Sequence, residues 1–144
     1  MKPQEIAYNA LVPELLCRDF AASRMFYVDL LGFACLYDRT ESGFAYLEKG
    51  RAQIMIEQID AEDSWLTGPM QPPFGRGINL QIEVDDLDDL IARLRAADVI
   101  LYREPYDAWY RVDQHETGQR QFLVQDPDGY LLRFCQHLGE RPAK

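Results

Sequence analysis

The segment "GINLQIEVDDLDDLIARLRAADV", residues 77–99, changes its period halfway along. Leu80, Ile82 and Val84 alternate with Asn79, Gln81 and Glu83, the period-two pattern of a strand with one face in a core. Beyond it Asp86 offers an N-cap, and residues 87–97 carry apolar positions at helical spacing. The first half of the chain has the same order. Residues 11–17 read as a strand, Asp19 as an N-cap, and residues 20–31 as a helix that Gly32 stops. Three strand-like runs follow, "FACLYD", "GFAYLEK" and "AQIMIEQ", with turns at Glu41-Ser42-Gly43 and Lys49-Gly50-Arg51. After the second helix come "VILYRE", "WYRVDQ" and "RQFLVQ", then "LLRFCQ" beyond the turn "DPDG". One of these strands is in question, because Pro105 breaks the run there.

Between the halves, residues 60–76 are loop-like, with Gly68, Pro69, Pro72, Pro73 and Gly75. The repeat is one of order, β-α-β-β-β twice over, with slight identity between the copies. Such duplication predicts two packed modules, residues 8–59 and 77–136, joined by a linker within a single domain of residues 1–144. Two helices and about eight strands do not make a doubly wound sheet. The fold class expected is α+β, each curved mixed sheet packing its helix on one side and turning its other face toward a cavity. Residues 137–144, "HLGERPAK", read as a frayed tail.

Composition narrows the function classes. At 144 residues, 47% of them apolar, the chain can bury roughly 70% of its unfolded surface. No run approaches the roughly 20 apolar residues of a membrane span, and the first residues lack a signal-peptide pattern. The net charge of −9, with no basic run, argues against nucleic acid and favours a cationic ligand by steering. Cys17, Cys35 and Cys135 are odd in number and well separated, as in reduced thiols of a cytoplasmic protein.

Three stretches carry a family resemblance. "VPELLCRDFAASRMFYVDLLGF", "INLQIEVDDLDDL" and "FLVQDPDGYLLRF" resemble, in that order, the vicinal oxygen chelate superfamily, and more narrowly its bleomycin resistance protein branch. The resemblance spans roughly residues 11–136 and implies the tandem βαβββ fold of that superfamily. In metal-dependent members, such as glyoxalase I and extradiol dioxygenases, ligands stand on the first and last strands of each module. The matching positions here are Val12, Met55, Asn79 and Arg133, which form no metal site, because divalent cations need imidazole and carboxylate donors. Neither a metal nor another cofactor is therefore expected. His115, in a polar stretch, and His137, after the last strand, read as surface residues; Glu57 is the rival ligand if the fourth strand shifts by one residue.

Alternation then predicts the cavity lining. Val12, Glu14 and Leu16 face in from the first strand, and Gln53, Met55 and Glu57 from the fourth. Asn79, Gln81 and Glu83 face in from the fifth, and Leu131, Arg133 and Cys135 from the last. Among the aromatics, Phe44 matches a groove residue of the resembling family, and Tyr46 shares its face. Trp65 and Trp109 sit in loop-like contexts suited to a ligand wall, and Tyr106 and Tyr110 cluster near Trp109. A Trp that the branch often carries just before the seventh strand is replaced by Thr117, and Trp109 could stand in for it from the neighbouring strand.

The ligand-binding residues expected are thus Glu14, Phe44, Tyr46, Met55, Glu57, Trp65, Asn79, Gln81, Trp109 and Arg133, with no catalytic residue. The resemblance implies a metal-free homodimer that sequesters a cationic, bleomycin-type antibiotic, with neither nucleic acid nor membrane as partner. The alternative is an enzyme of the glyoxalase or dioxygenase type. Its metal-free form would use Glu57 or Glu14 as a general base raised in pKa by burial.

Overall fold

The computed structural model describes all 144 residues, which form two compact units. The first comprises residues 1–74 with 127–129, and the second residues 75–126 with 130–144. No helix is long and apolar enough to cross a membrane.

In the first unit, β1 (Glu14–Cys17), β2 (Ala34–Arg39), β3 (Phe44–Lys49) and β4 (Ala52–Gln58) form a sheet in the order β1-β4-β3-β2. The β1–β4 pair is parallel and the others antiparallel. Between β1 and β2 runs α1 (Phe20–Arg24), which continues as a π-helical stretch over Met25–Leu30. Asp19 caps α1 through Ala22 N–H, as its position predicts, and Gly32, at φ +80°, ends the helical segment. Leu15, Cys17, Ile54 and Ile56 are buried, as are Tyr27, Leu31 and Phe33.

The second unit repeats the plan. Strands β5 (Asn79–Glu83), β6 (Arg103–Val112), β7 (His115–Gln125) and β8 (Leu131–Pro142) are ordered β5-β8-β7-β6, with β5–β8 parallel. Its helix α2 (Leu87–Ala96) is capped by Asp86 and buries Leu87, Leu90, Ile91 and Leu94. Matched glutamines tie each helix start to its sheet. Gln58 accepts from Phe20 N–H in the first unit, and Gln136 from Leu87 N–H in the second. The architecture is therefore α+β, two four-stranded mixed sheets built on one repeated order.

Several expectations are corrected. Strand β1 starts at Glu14, leaving Val12 outside it, because Pro13 has no N–H to donate and enters the ladder only through its carbonyl, to Met55 N–H. "VILYRE" is not a strand up to Tyr102: Asp98 takes φ +58°, and Val99 N–H bonds back to Leu94 O to finish the helix. Pro105 sits inside β6 without ending it, because β6 is an edge strand and its register slips between Arg103 and Tyr106. Residues 137–142 are strand and not a frayed tail. The long β7 needs a partner there, and Gly139, at φ +119°, absorbs the bulge opposite Gly118–Gln119. His115 and His137 consequently lie within β7 and β8, both exposed. Trp109 is mid-strand in β6 and not in a loop.

Candidate functional site

Parallel pairing of β1 with β4 sets Glu14 beside Met55 and Leu16 beside Glu57 on one face of the first sheet. These four residues floor an open hollow of about 1290 Å³. Its rim comes from the turn Thr40–Ser42 with Gly43 and from the loop after β4, which contributes Asp60, Asp63 and Trp65. Glu14, Glu41, Glu57, Asp60 and Asp63 line it, and no lysine or arginine does. Trp65 is 91% exposed at this rim.

The floor carries a perturbed carboxyl. Glu14 holds its proton to higher pH than an ordinary glutamate. Partial burial disfavours its charge, Glu57 repels that charge, and a hydrogen bond between the two carboxyls favours keeping one proton; Arg39 opposes the shift. Release of the Glu14 proton adds negative charge to the pair.

The other expected residues of the first unit are placed differently. Phe44 and Tyr46 lie beside Glu57 and Met55 in register, so all four share a face. Both rings are nevertheless buried, at 3% exposure. The Arg39 guanidinium lies 4.0 Å over Phe44, while Tyr37 and Tyr8 pack on Tyr46. Gln53, expected to face in, is sealed under the N-terminal segment. It accepts from Asn9 N–H and Tyr46 O–H and donates to Ala7 O and Glu48 Oε2. Val12 is half-buried, ahead of the strand.

In the second unit, cross-strand registers align two rows on one face of the sheet. Gln81, Arg133, Leu123 and Arg103 form the first, and Glu83, Cys135, Gln121 and Tyr106 the second. Asn79 and Gln81 are exposed, and the Nε of Arg133 is buried without a hydrogen-bond partner. The Cys135 thiol is pushed up by burial and by Glu83, with Arg133 opposing, so it stays an S–H group. Trp109 lies against Gly118, where an added Cβ would come within 2.6 Å of its ring, and the Arg141 guanidinium sits 3.9 Å from the ring centroid. Of the ten expected ligand residues, the hollow gathers Glu14, Met55, Glu57 and Trp65.

Sequence reasoning missed Glu41, Asp60 and Asp63, which stand in turn and loop segments with no periodicity to assign them a face. It also missed Gln119 and Gln121, although "GQRQFLVQ" alternates cleanly enough to set both opposite Phe122.

The donor set does not fit a resident divalent ion. Val12 and Met55 in the first unit supply neither imidazole nor carboxylate, while Asn79 and Arg133 in the second supply an amide and a cation. No three His, Cys, Asp or Glu side chains gather where they could hold a metal.

Comparison with known proteins gives one consistent assignment. The model of the Glyoxalase/Bleomycin resistance protein/Dioxygenase superfamily matches residues 8–134. A bleomycin resistance protein of Geobacillus stearothermophilus is 26% identical over 136 residues, covering 88% of this chain and 96% of its own. One from Klebsiella pneumoniae is 25% identical over 125 residues, with coverages of 87% and 90%. Among solved structures, TioX from Micromonospora sp. ML1 superposes with a TM-score of 0.70 at 24% identity, over 91% of this chain and all of that one (100%). A virulence protein from Salmonella typhimurium does so with a TM-score of 0.66 at 18% identity, covering 92% and 99%. At those identities the structural likeness shows the fold.

Proposed function

The chain belongs to the Glyoxalase/Bleomycin resistance protein/Dioxygenase superfamily, and from that premise we propose that it is a metal-free binding protein that captures a cationic, bleomycin-type small molecule. The observation that carries this reading is the acidic hollow of the first unit, lined by five acidic side chains and by no lysine or arginine, with an exposed tryptophan at its rim. A flat cation is attracted by the carboxylates and stacks on Trp65, the ring adding about 0.5–1.5 kcal/mol beyond its buried area. Sequestration requires affinity alone, so a site without nucleophile or metal suffices. Field complementarity would chiefly speed the encounter and select charge.

Glu14, Met55, Glu57 and Trp65 form the proposed primary contacts, with Glu41, Asp60 and Asp63 supplying field. Homodimer formation and a cytoplasmic location belong to the same proposal. The family relatives support small-molecule capture, and the three free cysteines suit a reducing compartment. Titration with bleomycin, read by tryptophan fluorescence and by calorimetry, tests it. Saturable binding that Trp65→Ala weakens is expected; neither a fluorescence change nor heat at micromolar ligand would end the reading. Metal analysis of protein purified without chelator is expected to find no stoichiometric Zn, Ni, Fe or Mn. The mass in solution is expected to be that of two chains.

A further inference from the structure

The face of the second sheet carries a hydrogen-bond arrangement that the acidic hollow does not use. Gln121 is 1% exposed. Its carbonyl accepts from Gln119 Nε2 at 2.6 Å, which leaves its amide nitrogen as a two-hydrogen donor. One hydrogen goes to the Tyr106 hydroxyl at 2.5 Å and the other to the Tyr110 hydroxyl at 2.7 Å. A phenol both accepts and donates. With both oxygens accepting from Gln121, each O–H is left to donate, and neither donates to another group of the protein. One buried amide thus occupies both phenol oxygens as acceptors, and Tyr110 is 42% exposed.

Positive charge flanks this pair. The Arg103 guanidinium lies 3.6 Å from the centroid of the Tyr106 ring. Arg103 and Arg133 both stand in register with Leu123, one strand to either side, two residues along β7 from Gln121. Neither arginine enters an ion pair, although five other arginines do, and the buried Nε of Arg133 has no partner. Glu83 opposes from the far end of the Tyr106–Gln121–Cys135 row, on the edge strand β5. On a chain of net charge −9, two unpaired guanidinium groups beside two free O–H donors are the opposite of the chemistry in the first unit.

We propose that this face, between Arg103 and Arg133, is a carboxylate-binding subsite in which Tyr106 and Tyr110 donate to the ligand oxygens. This goes beyond the cation capture proposed for the first unit and assigns the second unit a ligand class of its own, a small carboxylate. Charge-assisted hydrogen bonds are roughly twice as strong as neutral ones, which suits two phenols acting together on a carboxylate.

The test uses benzoate as the probe on the full chain, followed by NMR at the tyrosine ring and glutamine side-chain signals. Saturable shifts at Tyr106, Tyr110 and Gln121 in the millimolar range are expected, with benzylamine causing none there. The Tyr106→Phe/Tyr110→Phe double variant keeps both rings and removes both O–H donors; a loss of affinity of about tenfold is expected. Gln121→Glu turns the buried amide into an acceptor of both phenol protons, and its benzoate binding is expected to vanish. Should that variant fold poorly by its amide spectrum, the double phenylalanine variant decides. Arg120→Ala, on the opposite face and paired with Asp107, is the control expected to bind normally. No saturable shift with benzoate, equal shifts with benzylamine, or affinity kept within twofold by the double variant would each overturn the proposal. Failure of bleomycin to bind the acidic hollow leaves the benzoate result intact, so the two readings fail separately.

Discussion

The two units share strand order, parallel and antiparallel pattern, helix caps and the glutamine that ties each helix to its sheet, yet their open faces have opposite chemistry. In the first unit Glu14 stands beside Glu57 on the floor of an acidic hollow, its pKa raised by partial burial and by that neighbour. In the second, the phenol oxygens of Tyr106 and Tyr110 both accept from one buried amide, beside arginines without ion pairs. The buried residues, Leu15 and Ile56 in one and Ile82 and Phe134 in the other, are interchangeable in kind. A duplicated fold thus constrains its inward residues by packing while each outward position is left free to take a different charge.

The largest expected effect is on cation capture by the first unit. Replacing both floor carboxyls, Glu14→Gln with Glu57→Gln, removes negative charge worth about 1 kcal/mol or more at contact distance. Bleomycin affinity is expected to fall about 10–100-fold by calorimetry. An unchanged affinity would place capture elsewhere and erase the contrast between units. A packing change in the second unit comes next. Gly118→Ala drives a Cβ into the Trp109 ring, and a stability loss of about 1–3 kcal/mol in urea unfolding is expected.

Removing the rim ring is smaller. Trp65→Ala is expected to weaken bleomycin binding by about 0.5–1.5 kcal/mol without lowering the melting temperature, because a side chain 91% exposed supports little of the core. The smallest effect is on pH. Because Glu14 binds its proton more tightly folded than unfolded, stability is expected to decline as pH rises from the ordinary glutamate range through the raised value. Cation affinity should climb across the same window, as the carboxyl pair gains charge. Glu14→Gln is expected to flatten both slopes, and parallel slopes in variant and parent would remove Glu14 as their source.

Much of this was legible without coordinates. The period change at residues 77–99, the caps Asp19 and Asp86, and the runs that became β2, β3 and β4 follow from local physics: side-chain alternation, capping geometry and turn residues. Glu14, Met55 and Glu57 were assigned one face by counting twos along their strands. The errors occur where a local signal meets a tertiary demand. "HLGERP" reads as a polar tail, and becomes strand only because β7 has unpaired backbone opposite it. "VILYRE" is strand-like in composition, but residue 99 completes a helix end.

The sequence by itself determined the repeated order of elements and the α+β class, because both depend on spacing along the chain. Only the tertiary structure decided what the outward residues do. It brought Asp60, Asp63 and Trp65 from a loop to the rim of a strand-built floor, and it covered Phe44 and Tyr46 with Arg39, Tyr37 and Tyr8. It also placed Gln121 where its amide reaches two phenols from another strand. Exposure, the raised pKa of Glu14 and hydrogen-bond partners depend on neighbours distant in sequence, and no periodicity encodes them.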